Sequence, residues 1–169
     1  MALAPSAPEP RGRAVRADLS LRDIWETIGR EAEEESALWG AALLRERERE
    51  AVPVFSPLGG ARFALGVETI YEGYLLHYGR PRLFAPPDPA SRVLLGDYLY
   101  AHGLVRVAQL GDVVVVAELA ELISLCAQMR ADRRASARSL DGVSWAATVA
   151  LLGADDGRLA AARGALRDR

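Results

Sequence analysis

The feature that most constrains this chain is an apolar period of three and four residues that runs, with two interruptions, from Phe63 to Arg130. Phe63, Val67, Ile70, Tyr71, Tyr74, Leu75 and Tyr78 recur at that spacing and predict an amphipathic helix over residues 60 to 78, closed by Gly79-Arg80-Pro81. Pro81, Pro86, Pro87 and Pro89 then impose a rigid loop, and Asp88-Pro89-Ala90 reads as an N-cap with proline at the first helical position, opening a helix over 90 to 110. Gly111-Asp112 punctuates. The Val113 to Val116 run has the composition of a strand, but Leu119, Leu122, Ile123 and Cys126 continue the helical spacing, so length decides for a helix from Val113 to Arg130.

Upstream, Asp18 or Ser20 caps a first helix in which Leu21, Ile24, Trp25 and Ile28 share a face, continuing through Leu38, Trp39, Ala42 and Leu43 and ending at Pro53 and Pro57. Glu31 to Glu35 and the Arg45 to Glu50 alternation read as its solvated, ion-paired side. Downstream, Arg133, Arg134 and Arg138 mark a polar linker before two shorter helices, Val143 to Leu152 and Asp155 to Leu166. Residues 1 to 17, proline-bearing among Ala, Ser and Arg, form no core and read as a disordered tail. The expected architecture is all-α: one domain over 18 to 169, a small bundle of about six helices, with no repeat of fixed period.

Composition removes several functions. With 21 basic residues against 23 acidic ones the net charge is −2, which supplies no basic field to draw the chain onto nucleic acid. All the basic residues are arginine, so neither a lysine Schiff base nor a phosphate-loop lysine is available. Cys126 is the one cysteine; no internal disulfide forms, and its Leu-Ile-Ser-Leu-Cys-Ala surroundings read as a buried hydrophobe. No apolar run approaches the ~20 residues needed to cross a bilayer, and Met1 to Val15 lack the apolar stretch of a secretory signal; the expected compartment is the cytoplasm.

Local chemistry is sparse. His77 and His102 fall on different helices with no ligand spacing between them, and Asp155-Asp156 sits where a helix start needs capping. Glu68 and Glu72, at i and i+4, share a helix face and have the pattern of a solvated one. No catalytic, cofactor-binding or metal-binding residue is assigned.

An ordered set of short motifs does stand out. Val67 to His77 (VETIYEGYLLH), Tyr78-Gly79-Arg80-Pro81-Arg82-Leu83-Phe84, Gly96-Asp97-Tyr98-Leu99, and Gln128 with Asp132 resemble, in order, the apolar helix, the Arg-Gly-x-Pro segment, the Gly-Asp-x-Leu opening and, with one residue too many between them, the Gln-x-x-Asp closing of the trans-prenyl diphosphate synthase family. The resemblance spans residues 67 to 132. It implies a truncated isoprenoid-synthase core, with Arg80, Arg82, Asp97 and Gln128 as a vestigial ligand site. The two Asp-rich clusters that hold Mg²⁺ on the diphosphate in that family are missing: the first is deleted after His77, the second belongs to a C-terminal half without counterpart, and the diphosphate-binding lysine is absent too.

The resemblance therefore implies a non-catalytic helical protein without a cofactor. It either self-associates as a homodimer or serves as a small regulatory subunit of a full-length prenyl synthase. Residues 90 to 110 and 113 to 131 correspond to the family's dimer-forming helices, with Leu104, Leu119 and Leu122 at the expected interface. Two alternatives stand beside this one: a scaffold or cargo-type interaction module unrelated to isoprenoids, and a minimal enzyme with relocated carboxylates at Glu68, Glu72 and Asp97.

Overall fold

A computed structural model describes residues 21–132 and 137–152. Among these the chain forms six α-helices and no strand: α1 Leu21–Glu35, α2 Ala37–Ala42, α3 Ala64–Tyr78, α4 Pro89–Ala108, α5 Val113–Ala131 and α6 Ala137–Ala150. Three short 3-10 turns, Glu46–Glu48, Ser56–Leu58 and Ala61–Phe63, lie in the long connection between α2 and α3. The protein is all-α, a small helical bundle. The proline-bearing tail, the expected cap at Asp18 or Ser20, the Asp155-Asp156 pair and the expected helix from Asp155 to Leu166 lie outside the described residues.

The bundle is built around α3. At about 100° per residue, Val67, Ile70 and Tyr74 point one way and Leu76 and Leu65 the other. An apolar cluster forms on each side. The first joins Phe63, Val67, Ile70 and Tyr74 to Val107 of α4, Val115, Leu119, Leu122 and Cys126 of α5, and Trp145 and Val149 of α6. The second joins Leu76 to Ile24, Trp25, Ile28 and Ala32 of α1, Ala42, Leu83 and Phe84, and Leu95 and Leu99 of α4. A third side of α3 carries Gly66 and Gly73, which meet Gly103 and Gly96 of the antiparallel α4. A Cβ on Gly103 would fall 2.5 Å from Ile70 Cγ1 and 3.0 Å from the Gly66 carbonyl, and one on Gly73 would fall 2.9 Å from the Gly96 carbonyl. Glycine is what lets the two backbones approach this closely.

The helix ends follow local chemistry. Asp88 caps α4 by accepting from Ser91 N at 2.9 Å, with Pro89 in the first turn, and Asp112 caps α5 by accepting from Val115 N at 3.2 Å. Gly111, at φ 77°, makes the left-handed turn between them. Three boundaries differ from expectation. The first helix is not continuous: Ser36, extended at φ −155°, accepts from Leu38 N through its side chain and starts α2 as a separate helix, the hydroxyl competing for the backbone N–H. The approach to α3 is a 3-10 turn at Ala61–Phe63 rather than α-helix from residue 60. The last described helix begins at Ala137 rather than Val143, so Arg138 belongs to α6 and not to a linker.

Candidate functional site

The fourth side of α3 carries Glu68 and Glu72, one turn apart. The segment after α3 folds back beside the end of α2, with Leu44 N donating to Leu83 O at 2.8 Å and Ala85 N to Ala42 O at 2.7 Å, and this pairing brings Arg82 over the two carboxylates. Arg82 donates through Nη1 to Glu68 Oε2 at 3.0 Å and through Nε to Glu72 Oε2 at 3.1 Å. The remaining oxygens accept from backbone amides: Glu68 Oε1 from Val54 and Ser56 at 3.3 and 3.2 Å, Glu72 Oε1 from Arg82 and Leu83, both at 2.8 Å. The guanidinium also donates to Val52 O at 2.8 Å and lies against the rings of Trp25 and Tyr71, 4.4 and 4.9 Å from their centroids.

All three charged residues are buried. Burial raises the Glu72 carboxyl above its ordinary range, opposed by Arg82 and the two amides. Glu68 and Glu72 are therefore not a solvated face, and Arg82 is buried between them. The triad ties the 52–56 and 82–84 segments to α3, and a metal ion or diphosphate could engage it only by displacing N–H donors already in place.

The other residues of the expected ligand site do not join it. Arg80 is exposed and pairs with Glu50; Gln128 is exposed on α5. Asp97 lies at the surface with Oδ1 3.2 Å from His77 Nε2, within ion-pair range but without hydrogen-bond alignment. Among the described residues no hydrogen bond or ion pair joins Arg80, Arg82, Asp97 and Gln128 to one another. His102 pairs with Glu31 of α1 at 2.7 Å, and Arg106 contacts the same carboxylate oxygen.

A second polar network went unrecognised in the sequence. Tyr74 donates to Asp141 Oδ2 at 2.6 Å, and Arg130 donates to that oxygen at 2.7 Å and to the Tyr74 hydroxyl at 2.8 Å, linking α3, α5 and α6. Burial, then the bond to Asp141, holds the Tyr74 hydroxyl well above its usual range. Cys126 is fully buried beside this network, its thiol pushed up to about 12 by burial. Among the described residues, no group of three or more His, Cys, Asp or Glu side chains is placed to hold a metal ion.

The apolar helices divide differently from expectation. Leu119 and Leu122 are fully buried in the chain's own core and fill the monomer, while Leu104 is half-buried against the same cluster. The outward face of α4 is instead Leu94, Ala101, Val105 and Ala108, with Tyr98 half-exposed along the same line. Leu94 is 56% exposed and Val105 51%, and Val113 and Val114 at the start of α5 are more exposed still. No described helix is long and apolar enough to cross a membrane. A cleft of about 390 Å³ near the start of α1 is lined by Trp25, Glu26, Glu46, Arg49 and Ala51 and includes none of the expected site residues. No family model matches the chain, and neither a curated protein nor a solved structure proves similar to it.

Proposed function

We propose that the chain is a non-catalytic, isoprenoid-synthase-like helical protein that works by docking a partner chain, either a second copy of itself or the catalytic subunit of a prenyl diphosphate synthase. The observation that carries this reading is the stripe on α4 left without a covering element among the described residues. Leu94, Ala101, Val105 and Ala108 recur at helical spacing on the outside of the bundle, where isolated apolar residues are ordinary but a continuous line of them marks an interaction face. The Glu68–Arg82–Glu72 triad supports the non-catalytic half, since the oxygens of two carboxylates that a relocated metal site would need are already occupied by Arg82 and backbone N–H donors. The link to prenyl synthases rests on the ordered motifs from Val67 to Asp132.

The test is sedimentation of the chain at micromolar concentration, alone and mixed with a full-length prenyl synthase. An assembly should form and be lost in Val105→Asp, with the helical circular dichroism unchanged because the site is exposed. The chain alone, given Mg²⁺ and isoprenyl diphosphates, should elongate nothing. A chain that stays monomeric and ignores the synthase, or that elongates prenyl chains itself, overturns the reading.

A further inference from the structure

Resting on that reading, we propose that the occupant of the α4 face is an amphipathic helix of another protein, with basic side chains beside its apolar seam, and not a second copy of this chain. The geometry selects a single helix. Leu94, Tyr98, Ala101, Val105 and Ala108 are separated alternately by four and three residues, the spacing along which one helix packs against another. From 94 to 108 the seam is about 21 Å long at 1.5 Å per residue, or roughly four turns of a partner helix.

The charge beside the seam selects the partner's chemistry. The end of α1 and the short α2 border it: Trp39 stacks on Tyr98 with centroids 6.2 Å apart, and Glu31 reaches His102 on the same side. This border carries Glu31, Glu34 and Glu35, and Asp97 of α4 flanks the seam on its opposite edge; Glu34 is 62% and Asp97 64% exposed at the side chain. Against these four carboxylates stand the guanidiniums of Arg30, tied to Glu31 and Glu34, and Arg106, tied to Glu31. The negative field reaches the seam: burial first, then Glu35 and Glu31, raises the Tyr98 hydroxyl.

A second copy answers this field poorly. If the two α4 helices pack antiparallel about a two-fold axis, each acidic border faces the other. If they pack parallel, it faces the far side of the partner's α4 and α5, and between Arg106 and Arg130 the sequence holds no basic residue. Like charges set opposite one another select against a wrong partner. Arginine or lysine flanking the apolar seam of a different helix meets the border directly.

The test is fluorescence anisotropy of the full chain with two labelled two-heptad peptides, both with leucine at the seam positions, one flanked by arginine and the other by glutamate. The arginine peptide should bind roughly tenfold or more tightly than the glutamate one, and rising salt should narrow the gap. The double substitution Glu34→Arg with Asp97→Arg should reverse the preference, and Val105→Asp should abolish binding of both. Equal binding of the two peptides, or no reversal, overturns the proposal. If neither peptide binds and the chain forms a dimer that Val105→Asp dissociates, the face is an interface between copies: association stands and the basic partner falls. If neither peptide binds and nothing assembles on the face, both fall.

Discussion

Replacing Arg82 with Met removes the guanidinium while keeping an unbranched side chain between Trp25 and Tyr71. Glu68 and Glu72, both fully buried, then lose the cation that each contacts at 3.0 to 3.1 Å, and Val52 O loses a donor. Removing one partner of a buried ion pair costs about 3–5 kcal/mol because the other charge is left behind uncompensated. Both carboxylates keep two backbone amide donors here, which places the expected loss near the lower end, about 3 kcal/mol, still a large part of the 5–15 kcal/mol typical of a domain. Urea unfolding followed by fluorescence of the buried Trp25 and Trp145 measures it. The pH dependence gives a second, independent reading. Without Arg82 the Glu72 carboxyl, raised by burial, loses the cation that opposes that rise, and a group so raised contributes stability that is full below the unfolded pKa and is lost as pH rises through the folded one. Acidification from pH 7 towards 5 should therefore return part of the lost stability to the variant. The wild type, whose raised Glu72 is held back by Arg82, should gain less. A deficit below about 0.5 kcal/mol, the range of an ordinary surface change, or one that stays constant between pH 7 and 5, would refute the account of the triad.

The α3–α4 contact predicts opposite outcomes for one substitution at two glycines. Gly103→Ala places a methyl 2.5 Å from Ile70 Cγ1 and 3.0 Å from a backbone carbonyl, so overpacking of about 1–3 kcal/mol should outweigh a helix-propensity gain of about 1 kcal/mol and lower Tm. Gly142→Ala in α6 meets nothing within 4 Å and should raise Tm by about 2–4 °C; equal shifts of one sign would refute the close approach. Cys126, fully buried with its thiol pushed up to about 12, should resist thiol reagents at pH 8 until the chain unfolds. The same raised thiol makes the folded state lose stability from about pH 9, where the unfolded thiol ionises, up to about 12; rapid labelling of native protein would contradict both statements.

What the sequence made legible was local. Asp88 caps its helix through the amide three residues on, the break read at Gly111-Asp112 falls between two helices, and the Val113 to Val116 run is helical because its continuation keeps the helical period. The break at Ser36 was hidden because Leu38, Trp39 and Ala42 preserve the period across it, while one hydroxyl suffices to start a new helix. The Glu68 and Glu72 pair was misread for a physical reason: two carboxylates a turn apart look solvated until a chain reversal delivers Arg82 from 10 and 14 positions away. The choice of Leu119 and Leu122 within the expected interface went astray by the same logic. Leu119 and Leu122 were chosen because they sit in the most apolar helices, yet the most apolar positions of such helices are those a monomer buries first. An association face has to be sought in what folding does not consume. On α4 that remainder is the outward line from Leu94 to Ala108, weaker in hydrophobicity than Leu119 or Leu122 but continuous along the helix.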